Sequence, residues 1–242
     1  MAAGQVRIPP QMQDLPRPFW DHFRDLRKTL IYSLAGWLAA SAVCLQFSDR
    51  VLHWLLQPPL EKLVFTTPWE PFFAYFKLAG ILGLIVSFPW ILYHLWSFIS
   101  VALKPGERKV FWELIPVAYG LFLGGCALSI KVVLPMAMRF LMSFSGPQLV
   151  PFITLGSYLS FIGYTSLGLG LFFQFPIVLY VLASLGIIRP ESFNGYRRHV
   201  LLGLLVLAAL ISTGPLDQVM IAVPAYILFE ATLLVLRLRR VS

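Results

Sequence analysis

Charged residues are scarce in this sequence, and acidic residues are the scarcest of them. Only 12% of the 242 residues are charged, with 11 acidic side chains against 19 basic ones, whereas 58% are hydrophobic. Soluble globular domains carry about 25% charged residues, so this composition excludes a water-soluble domain. The apolar runs that stand in place of charge predict an all-α, polytopic membrane protein.

Cysteine and histidine are also rare, and their positions exclude several kinds of chemistry. The two cysteines, Cys44 and Cys126, both lie in apolar runs, where cysteine is more often a small core residue than half of a disulfide. The four histidines lie on separate segments without the spacing of metal ligands. The sequence also lacks H-E-x-x-H, G-x-S-x-G and a phosphate-binding glycine loop. We therefore expect no catalytic residue, no metal, no cofactor and no enzymatic activity.

Six apolar runs predict six transmembrane helices, and prolines inside four of them predict kinks that curve the bundle into a cup. The first four runs reach the ~20 residues that span a bilayer. The fifth provides about 13 residues, or ~20 Å, so it must thin the bilayer or lie behind other helices, unless the chain has only five spans. The predicted spans are 29–47, 73–101, 114–134, 156–185, 200–212 and 219–236.

The segments outside the spans predict a tail and two caps. The Pro-rich residues 1–18 predict a flexible cytoplasmic tail, and residues 19–238 a single six-helix domain. Two longer connections, 48–72 and 135–152, each contain a short apolar helix that stops at glycine or proline, which predicts two outer caps. Most basic residues fall on the side of both termini, so the positive-inside rule places the termini in the cytoplasm. The net charge of +8 is therefore explained by the membrane and not by nucleic acid.

Two acidic residues stand in basic surroundings at the same predicted membrane face. Asp25 in "HFRDLRKTL" precedes the first span, and Glu107 in "ALKPGERKVFWE" lies between the second and third. As exposed ion pairs with neighbouring Arg and Lys, they would be worth about 0.2–1 kcal/mol each. Because there are two of them at one face, a shared basic ligand is a competitive interpretation.

Polar side chains within the spans are costly in lipid and are therefore functional candidates. Gln174 stands two residues before Pro176 in "LGLFFQFPIVLYVL", and Glu230 lies in the sixth span. The Gln174 amide could satisfy the Phe172 carbonyl that the proline frees, or it could face a hydrated cavity and bind a ligand. The residues favour neither alternative, and both residues are kept as an intramembrane polar site.

Several stretches, in order and spacing, match a known family from about His22 to Leu236. The chain resembles TatC, the multispanning receptor subunit of the twin-arginine protein translocase. Each stretch alone is a weak signal, but together they are specific. The resemblance rests on "HFRDLRKTL", "PPLEKL", "TPWEPFFAYFKL", "FPWILYHLWSFISVALKPGERK", "VVLPMAMRFL", "SYLSFIGYTSLGLGLFFQFPIVLYVL" and "QVMIAVPAYILFE".

The resemblance implies a receptor in a bacterial-type cytoplasmic (inner) membrane that recognises signal peptides with consecutive arginines. With TatA-like and TatB-like single-span partners, it would form an oligomeric complex that exports folded proteins at the expense of the proton-motive force. By resemblance, a partner contact falls on Gln218. The signal-peptide-binding residues by resemblance are Asp25, Arg27, Phe98 and Glu107.

Three positions depart from the family's usual pattern. Gln174 stands where a glutamate is usual and cannot carry its charge. Asp25 also replaces a glutamate, and "STGPLDQV" replaces a Pro-Pro-Asp turn before Gln218. The alternative function is a secondary transporter for a small anionic solute, and a third interpretation is a scaffold that only assembles partner helices.

Overall fold

The computed structural model describes residues 19–56, 63–100, 105–146, 152–184, 193–211 and 215–238. These residues are almost entirely helical, which confirms the all-α prediction. The predicted tail at 1–18 lies outside them, and the assignment of 19–238 to one domain stays a prediction. The helices are α1 (Phe19–Leu45), α2 (Ser48–Leu55), α3 (Glu70–Ser100), α4 (Pro105–Leu128), α5 (Leu134–Met142), α6 (Leu155–Phe172), α7 (Phe175–Ser184), α8 (Phe193–Ile211) and α9 (Pro215–Leu238).

Four helical stretches of the described residues are long and apolar enough to cross a membrane, in agreement with the first four predicted spans. The fifth and sixth predicted spans correspond to α8 and α9. α8 begins earlier than predicted, in the polar sequence "FNGYRRH", and its 19 residues extend about 28 Å. The added residues are polar, so the apolar part of α8 remains short and local thinning of the bilayer stays a prediction. The four stretches are Arg24–Leu45, Glu70–Phe98, Trp112–Met142 and Leu155–Leu182.

Large apolar side chains cover the outside of the bundle. On α1, Leu34, Leu38 and Val43 are 52%, 56% and 58% exposed. Continuous apolar surfaces of this kind are not stable in water, whereas lipid tails solvate them at no cost. The chain is therefore a multi-pass membrane protein.

The bundle has two ends. The terminal face is the end where α1 begins at residue 19, α3 ends at 100 and α4 begins at 105. The cap face is the opposite end, where α2 and α5 lie and α6 begins at 155.

Two short helices lie at the cap face, as the sequence predicts. The Tyr158 hydroxyl of α6 donates a hydrogen bond to Leu55 O at the end of α2, at 2.9 Å. Val64 forms a parallel β-bridge with Thr154, and Leu155 N–H donates to Val64 O at 2.9 Å. These bonds fix the connection before α3 to the start of α6. Beneath them lies an apolar cluster that includes Leu52, Leu78, Met138 and Leu159.

The second cap is a continuation of α4 and not a separate helix. A π-helical turn, Ser129–Val133, joins α4 directly to α5. Pro135 follows this turn and has no N–H for the carbonyl four residues earlier, and the wider π turn accommodates it. The predicted end of the third span at residue 134 therefore falls inside a continuous helix.

One proline interrupts a span completely. Because Pro176 cannot continue the helical hydrogen bonds, α6 and α7 are separated by the pair Phe173–Gln174. Gln174 N–H donates to Leu171 O at 2.9 Å and closes the last turn of α6. Three other prolines lie inside helices that continue through them, namely Pro89, Pro116 and Pro224.

Small residues bring α4 and α6 into backbone contact. A Cβ atom on Gly125 would lie 2.7 Å from Leu169 O and 2.9 Å from the Gly170 Cα, so only glycine fits. One turn further along the same interface, the Ser166 hydroxyl donates to the Ser129 hydroxyl at 3.2 Å. Membrane helices commonly pack through such small and hydroxylated residues, since these allow close approach.

Candidate functional site

Two tryptophan side chains hold α1 against α3. Trp37 Nε1 donates to Gly80 O at 2.9 Å, and Trp90 Nε1 donates to Tyr32 O at 3.0 Å. Because one tryptophan comes from each helix, the two bonds fix the antiparallel register of the pair. The indole N–H groups are thereby satisfied in a membrane environment, where an unpaired donor is costly.

Five rings from three helices form an aromatic cluster in the terminal half of the bundle: Tyr32 of α1, Trp90, Tyr93 and His94 of α3, and Trp112 of α4. Tyr32 stacks on His94 with 5.4 Å between ring centroids and 17° between planes. Trp90 and Tyr93 meet the same imidazole edge-on at 4.7 and 5.3 Å. Tyr93 reaches Trp112 at 5.1 Å, so the aromatic cluster connects α1, α3 and α4.

The aromatic cluster is accessible at its surface and polar at its centre. Tyr32, Trp90 and Tyr93 are 53%, 49% and 46% exposed. His94 Nε2 is buried and has no hydrogen-bond partner among the described residues. A buried polar atom of this kind costs about 1–3 kcal/mol. Exposed aromatic rings are common at the headgroup level of a membrane, so the feature that marks this cluster as a candidate site is the buried imidazole nitrogen at its centre.

Three of the predicted signal-peptide residues lie on α1 and α3, further toward the terminal face. Asp25 stands two turns before Tyr32 on α1, about 10 Å along the axis, and Phe98 stands one turn after His94 on α3, about 6 Å along. Asp25 and Phe98 are half-buried, and Arg27 is exposed. The antiparallel pairing of α1 and α3 therefore places all three at one end of the molecule.

The fourth predicted residue, Glu107, lies in the first turn of α4, and its side chain is outside the described part. Its backbone position is about 8 Å from Trp112 along the helix, toward the terminal face. An acid in the first turn also interacts favourably with the helix dipole, by about 0.3–1 kcal/mol, which is a structural reason for its presence. The fold thus brings Glu107 to the same face as Asp25, and its binding role stays a prediction.

The amide of Gln174 joins two spans. Its Nε2 donates to Ala118 O of α4 at 3.0 Å. The acceptor is therefore not the Phe172 carbonyl that the sequence suggests as one alternative. Because α6 has already ended at Gln174, the amide extends to a neighbouring helix instead of folding back on its own.

Glu230 forms a separate polar contact between α8 and α9. Glu230 Oε1 accepts a hydrogen bond from the Tyr226 hydroxyl at 3.0 Å. Glu230 Oε2 forms an ion pair with Arg197 Nη2 at 3.2 Å. The Glu230 side chain is 30% exposed and that of Arg197 41%. Gln174 and Glu230 therefore each have partners of their own on different helices.

Gln218 lies near the start of α9 and bonds it to α8. Its Nε2 donates to Leu205 O at 2.9 Å, and the side chain is half-buried. A primary amide has a second N–H and a carbonyl oxygen beyond this bond. The assignment of Gln218 as a partner contact stays a prediction.

The aromatic cluster is the main feature that the sequence analysis missed. Its signal is present in "PWILYHLW", where Trp90, Tyr93 and His94 have the i, i+3, i+4 spacing of one helix face. The partners Tyr32 and Trp112 lie on other helices, so the register of α1 and α4 decides whether they meet. Within the described part, no three His, Cys, Asp or Glu side chains are grouped as metal ligands.

Comparison with known proteins decides the family. A family model described as Sec-independent protein translocase protein (TatC) matches residues 21–224. This chain belongs to the TatC family. The TatC protein of Carboxydothermus hydrogenoformans is 38% identical over 229 residues, which cover 93% of this chain and 94% of that protein. The TatC proteins of Aquifex aeolicus and Escherichia coli K12 are 33% and 32% identical, and cover 89% and 88% of this chain and 93% and 86% of their own lengths.

The fold of this TatC-family chain agrees with a solved structure. The crystal structure of the twin-arginine translocase receptor TatC matches it with a TM-score of 0.81 at 32% identity, over 90% of this chain and 98% of that one. The chain is therefore a protein-translocase component and not an enzyme. Family membership also decides against the alternative of a small-solute transporter.

Proposed function

We propose that this TatC-family chain is the receptor of a twin-arginine translocase, with its terminal face in the cytoplasm of a bacterial-type inner membrane. That face would bind the Arg-Arg segment of signal peptides and nucleate the complex that exports folded proteins. The observation that carries the proposal is the convergence of α1, α3 and α4. This convergence brings Asp25 and Glu107 to one face beside an exposed aromatic cluster.

Two carboxylates suit arginine better than lysine. The guanidinium group is planar and can donate two parallel N–H bonds to one carboxylate, whereas the lysine ammonium is a point charge without this fork. Guanidinium groups also stack on aromatic faces, and Trp112, about 8 Å from Glu107 along α4, provides one such face, with Tyr93 of α3 in contact with it. A receptor built this way would discriminate Arg-Arg from Lys-Lys.

The carboxylates alone do not provide enough affinity. At the strength measured for surface ion pairs, two such pairs would contribute about 0.4–2 kcal/mol, whereas micromolar binding requires about 8 kcal/mol. Cation–π contacts at exposed rings add about 0.5–1 kcal/mol each. The remaining ~5 kcal/mol corresponds to ~200 Å² of apolar surface at 25 cal/mol/Å², which one or two large side chains of a signal peptide would bury. The exposed rings of the aromatic cluster are suited to receive them.

The further partners are proposed from membership of the TatC family alone. TatA-like and TatB-like single-span helices would pack on the lipid-facing surfaces, with Gln218 as one contact, in an oligomeric complex powered by the proton-motive force. A neutral Gln174 whose amide already bonds Ala118 O does not supply a titrating group for this coupling. The proton-dependent step is therefore expected to involve groups outside Gln174.

The decisive experiment is site-specific photocrosslinking from positions next to Asp25 and Glu107 to a purified signal peptide. We expect crosslinks to an Arg-Arg peptide that decrease strongly when both arginines are lysines. A probe next to Asp49, at the cap face, is the control and should not react. Equal crosslinking to both peptides, in correctly inserted protein, would contradict recognition of the arginine pair.

The variant Glu107→Gln tests the second acid directly. It should weaken Arg-Arg peptide binding two- to fivefold, which corresponds to about 0.4–1 kcal/mol, while Lys-Lys binding changes less. Glu113→Gln is the matched control, because Glu113 is an exposed acid on the same helix. Binding should be measured by fluorescence anisotropy of a labelled peptide. Unchanged affinity in Glu107→Gln, or an equal loss in Glu113→Gln, would remove the assigned role.

A further inference from the structure

A cavity of about 430 Å³ opens at the cap face between the first turns of α3 and α6. It is lined by one acid, Glu70, one base, Lys77, two aromatic rings, Trp69 and Phe73, and several serine and threonine hydroxyls. This cap-face cavity lies at the opposite end of the molecule from the signal-peptide residues. Its polar groups are consequently not explained by the proposed receptor function.

Glu70 is held rigidly at one side of the cap-face cavity. Its Oε2 accepts hydrogen bonds from Thr66 N–H at 2.8 Å and from the Thr66 hydroxyl at 3.0 Å. Its Oε1 accepts one bond from Gly156 N–H at 2.8 Å. The Thr154 hydroxyl also lies beside this carboxylate, so Oε1 accepts a further hydrogen bond where a charged donor takes the place of that hydroxyl. The acid is therefore both fixed in position and able to bind a further donor.

Lys77 lies two turns below Glu70 on α3, about 10 Å along the helix axis. Its Nζ donates to the Ser160 hydroxyl at 2.7 Å and to Gly156 O at 3.4 Å. An ammonium group has three N–H donors, and the third is not used by these two contacts. Both contacts are to neutral oxygens, so the positive charge of Lys77 is not neutralised by them.

Gly156 connects the two charged groups. Its N–H donates to Glu70 and its carbonyl accepts from Lys77, so a carboxylate and an ammonium flank the same residue. Although both contact Gly156, no ion pair joins Glu70 to Lys77 among the described residues. A ligand with one positive and one negative group, spaced a few bonds apart, would complement both charges.

The aromatic rings show which medium the cap-face cavity faces. Trp69 and Phe73 are 62% and 61% exposed, and Phe72 and Phe76 beside them are 59% and 50% exposed. Exposed aromatic residues at the end of a membrane helix mark the level of the lipid headgroups. The cavity therefore opens where phospholipid headgroups and the first acyl carbons meet the protein.

We infer that the cap-face cavity binds the headgroup of a zwitterionic phospholipid with a primary ammonium, of the phosphatidylethanolamine type. The lipid phosphate accepts from the third N–H of Lys77, and the lipid ammonium donates to Glu70 Oε1. An anionic headgroup would bring negative charge toward Glu70 without a compensating ammonium. A trimethylated headgroup has no N–H to donate, although the rings could still contact it.

Native mass spectrometry of the full chain, purified in detergent, tests this inference. The protein is titrated with phosphatidylethanolamine, phosphatidylcholine and phosphatidylglycerol of identical acyl chains. We expect the ethanolamine lipid to bind at least fivefold more tightly than the other two. Soluble phosphorylethanolamine, which lacks acyl chains, should bind at least tenfold more weakly than the lipid. Equal affinity for the soluble ester would assign the site to a free phosphate compound and overturn the lipid inference.

Variants of the lysine separate a specific site from general lipid adhesion. Lys77→Met should reduce phosphatidylethanolamine binding about tenfold, since a charge-assisted contact is lost. Lys131→Met is the matched control, because Lys131 is exposed in the π-helical turn and does not line the cavity. Lys77→Arg keeps the charge and should bind within about threefold of the native chain. Equal effects of Lys77→Met and Lys131→Met, or no preference among the three lipids, would overturn the inference.

Discussion

Adding a single methyl group to Gly83 of α3 tests whether the close contact between α1 and α3 stabilises the chain. A Cβ atom on Gly83 of α3 would lie 2.6 Å from both the backbone N and the Cα of Ser41 on α1, and closer still to the Ser41 hydroxyl. Optimal separations between such atoms are about 3.5 Å, so Gly83→Ala requires the α1 backbone to retreat by about 1 Å. The Ser41 hydroxyl cannot rotate away freely, because it donates to Trp37 O at 2.8 Å.

The loss in free energy of unfolding caused by this shift of α1 lies between two limits. Overpacking a well-filled interface costs about 1–3 kcal/mol. If the shift also breaks the bond from Trp37 Nε1 to Gly80 O, about 0.5–1.5 kcal/mol is added. For a chain of this size, each kcal/mol changes the melting temperature by about 2–4 °C, so we expect Gly83→Ala to lower it by about 2–18 °C.

Intrinsic tryptophan fluorescence during heating in detergent measures this change, since Trp37 and Trp90 both lie at the interface. Gly80→Ala is the matched control on the same helix, because its Cβ would meet only the Trp37 ring at an ordinary 3.8 Å. Alanine for glycine in a compatible helix position stabilises by about 0.4–1 kcal/mol, so the control should melt at or above the native temperature. If both variants melt together, the close approach of α1 and α3 does not contribute as the structure indicates.

Two further predictions concern the other helix interfaces. Gly125→Ala places its Cβ 2.7–2.9 Å from the backbone of α6 and should lower the melting temperature. Gly120→Ala is the control and should not lower it, because nothing lies within 4 Å of its Cβ. Equal melting temperatures of the two variants would contradict the packing of α4 on α6. Glu230→Gln removes the ion pair with Arg197 and should destabilise the chain by about 1 kcal/mol. The double variant Glu230→Gln, Arg197→Gln should lose less stability than the two single variants lose together. Additive melting shifts in that double-mutant cycle would show that the two side chains do not interact.

Local signals were sufficient to predict much of the fold. The first four spans follow from long apolar runs, and the cap helices from short apolar patterns that end at glycine or proline. The length of α8 was missed because its first residues, "FNGYRRH", are polar and do not contribute to hydropathy. The continuity of α4 and α5 was missed because Pro135 normally indicates a helix start, and a π turn that tolerates it has no local sequence signal.

Contacts between helices required the structure. The sequence "GLFLGG" does not distinguish Gly120, Gly124 and Gly125 from one another. The register of α4 on α6 decides that Gly125, and not the other two, lies against the α6 backbone. The candidate site divides in the same way. That Asp25 and Glu107 share a face follows from counting spans, whereas the aromatic cluster between them depends on rings from three helices.

The positions of the carboxylates indicate whether this TatC-family chain could itself carry protons across the membrane. Among the described residues of the spans, the acids lie toward helix ends: Asp25 and Glu70 at the starts of α1 and α3, Glu113 in the early turns of α4 and Glu230 in the second half of α9. Glu230 is already paired with Arg197, and Gln174, in the middle of a span, is neutral and bonded to α4. A proton that crosses the membrane would find no ionisable carboxylate in the central turns of this described part. Because a buried charge without a partner is costly in lipid, we expect any proton coupling to involve groups other than these described residues. The two proposed binding surfaces would then lie at fixed positions at the ends of the chain, because the tryptophan and glycine contacts hold α1 and α3 in register.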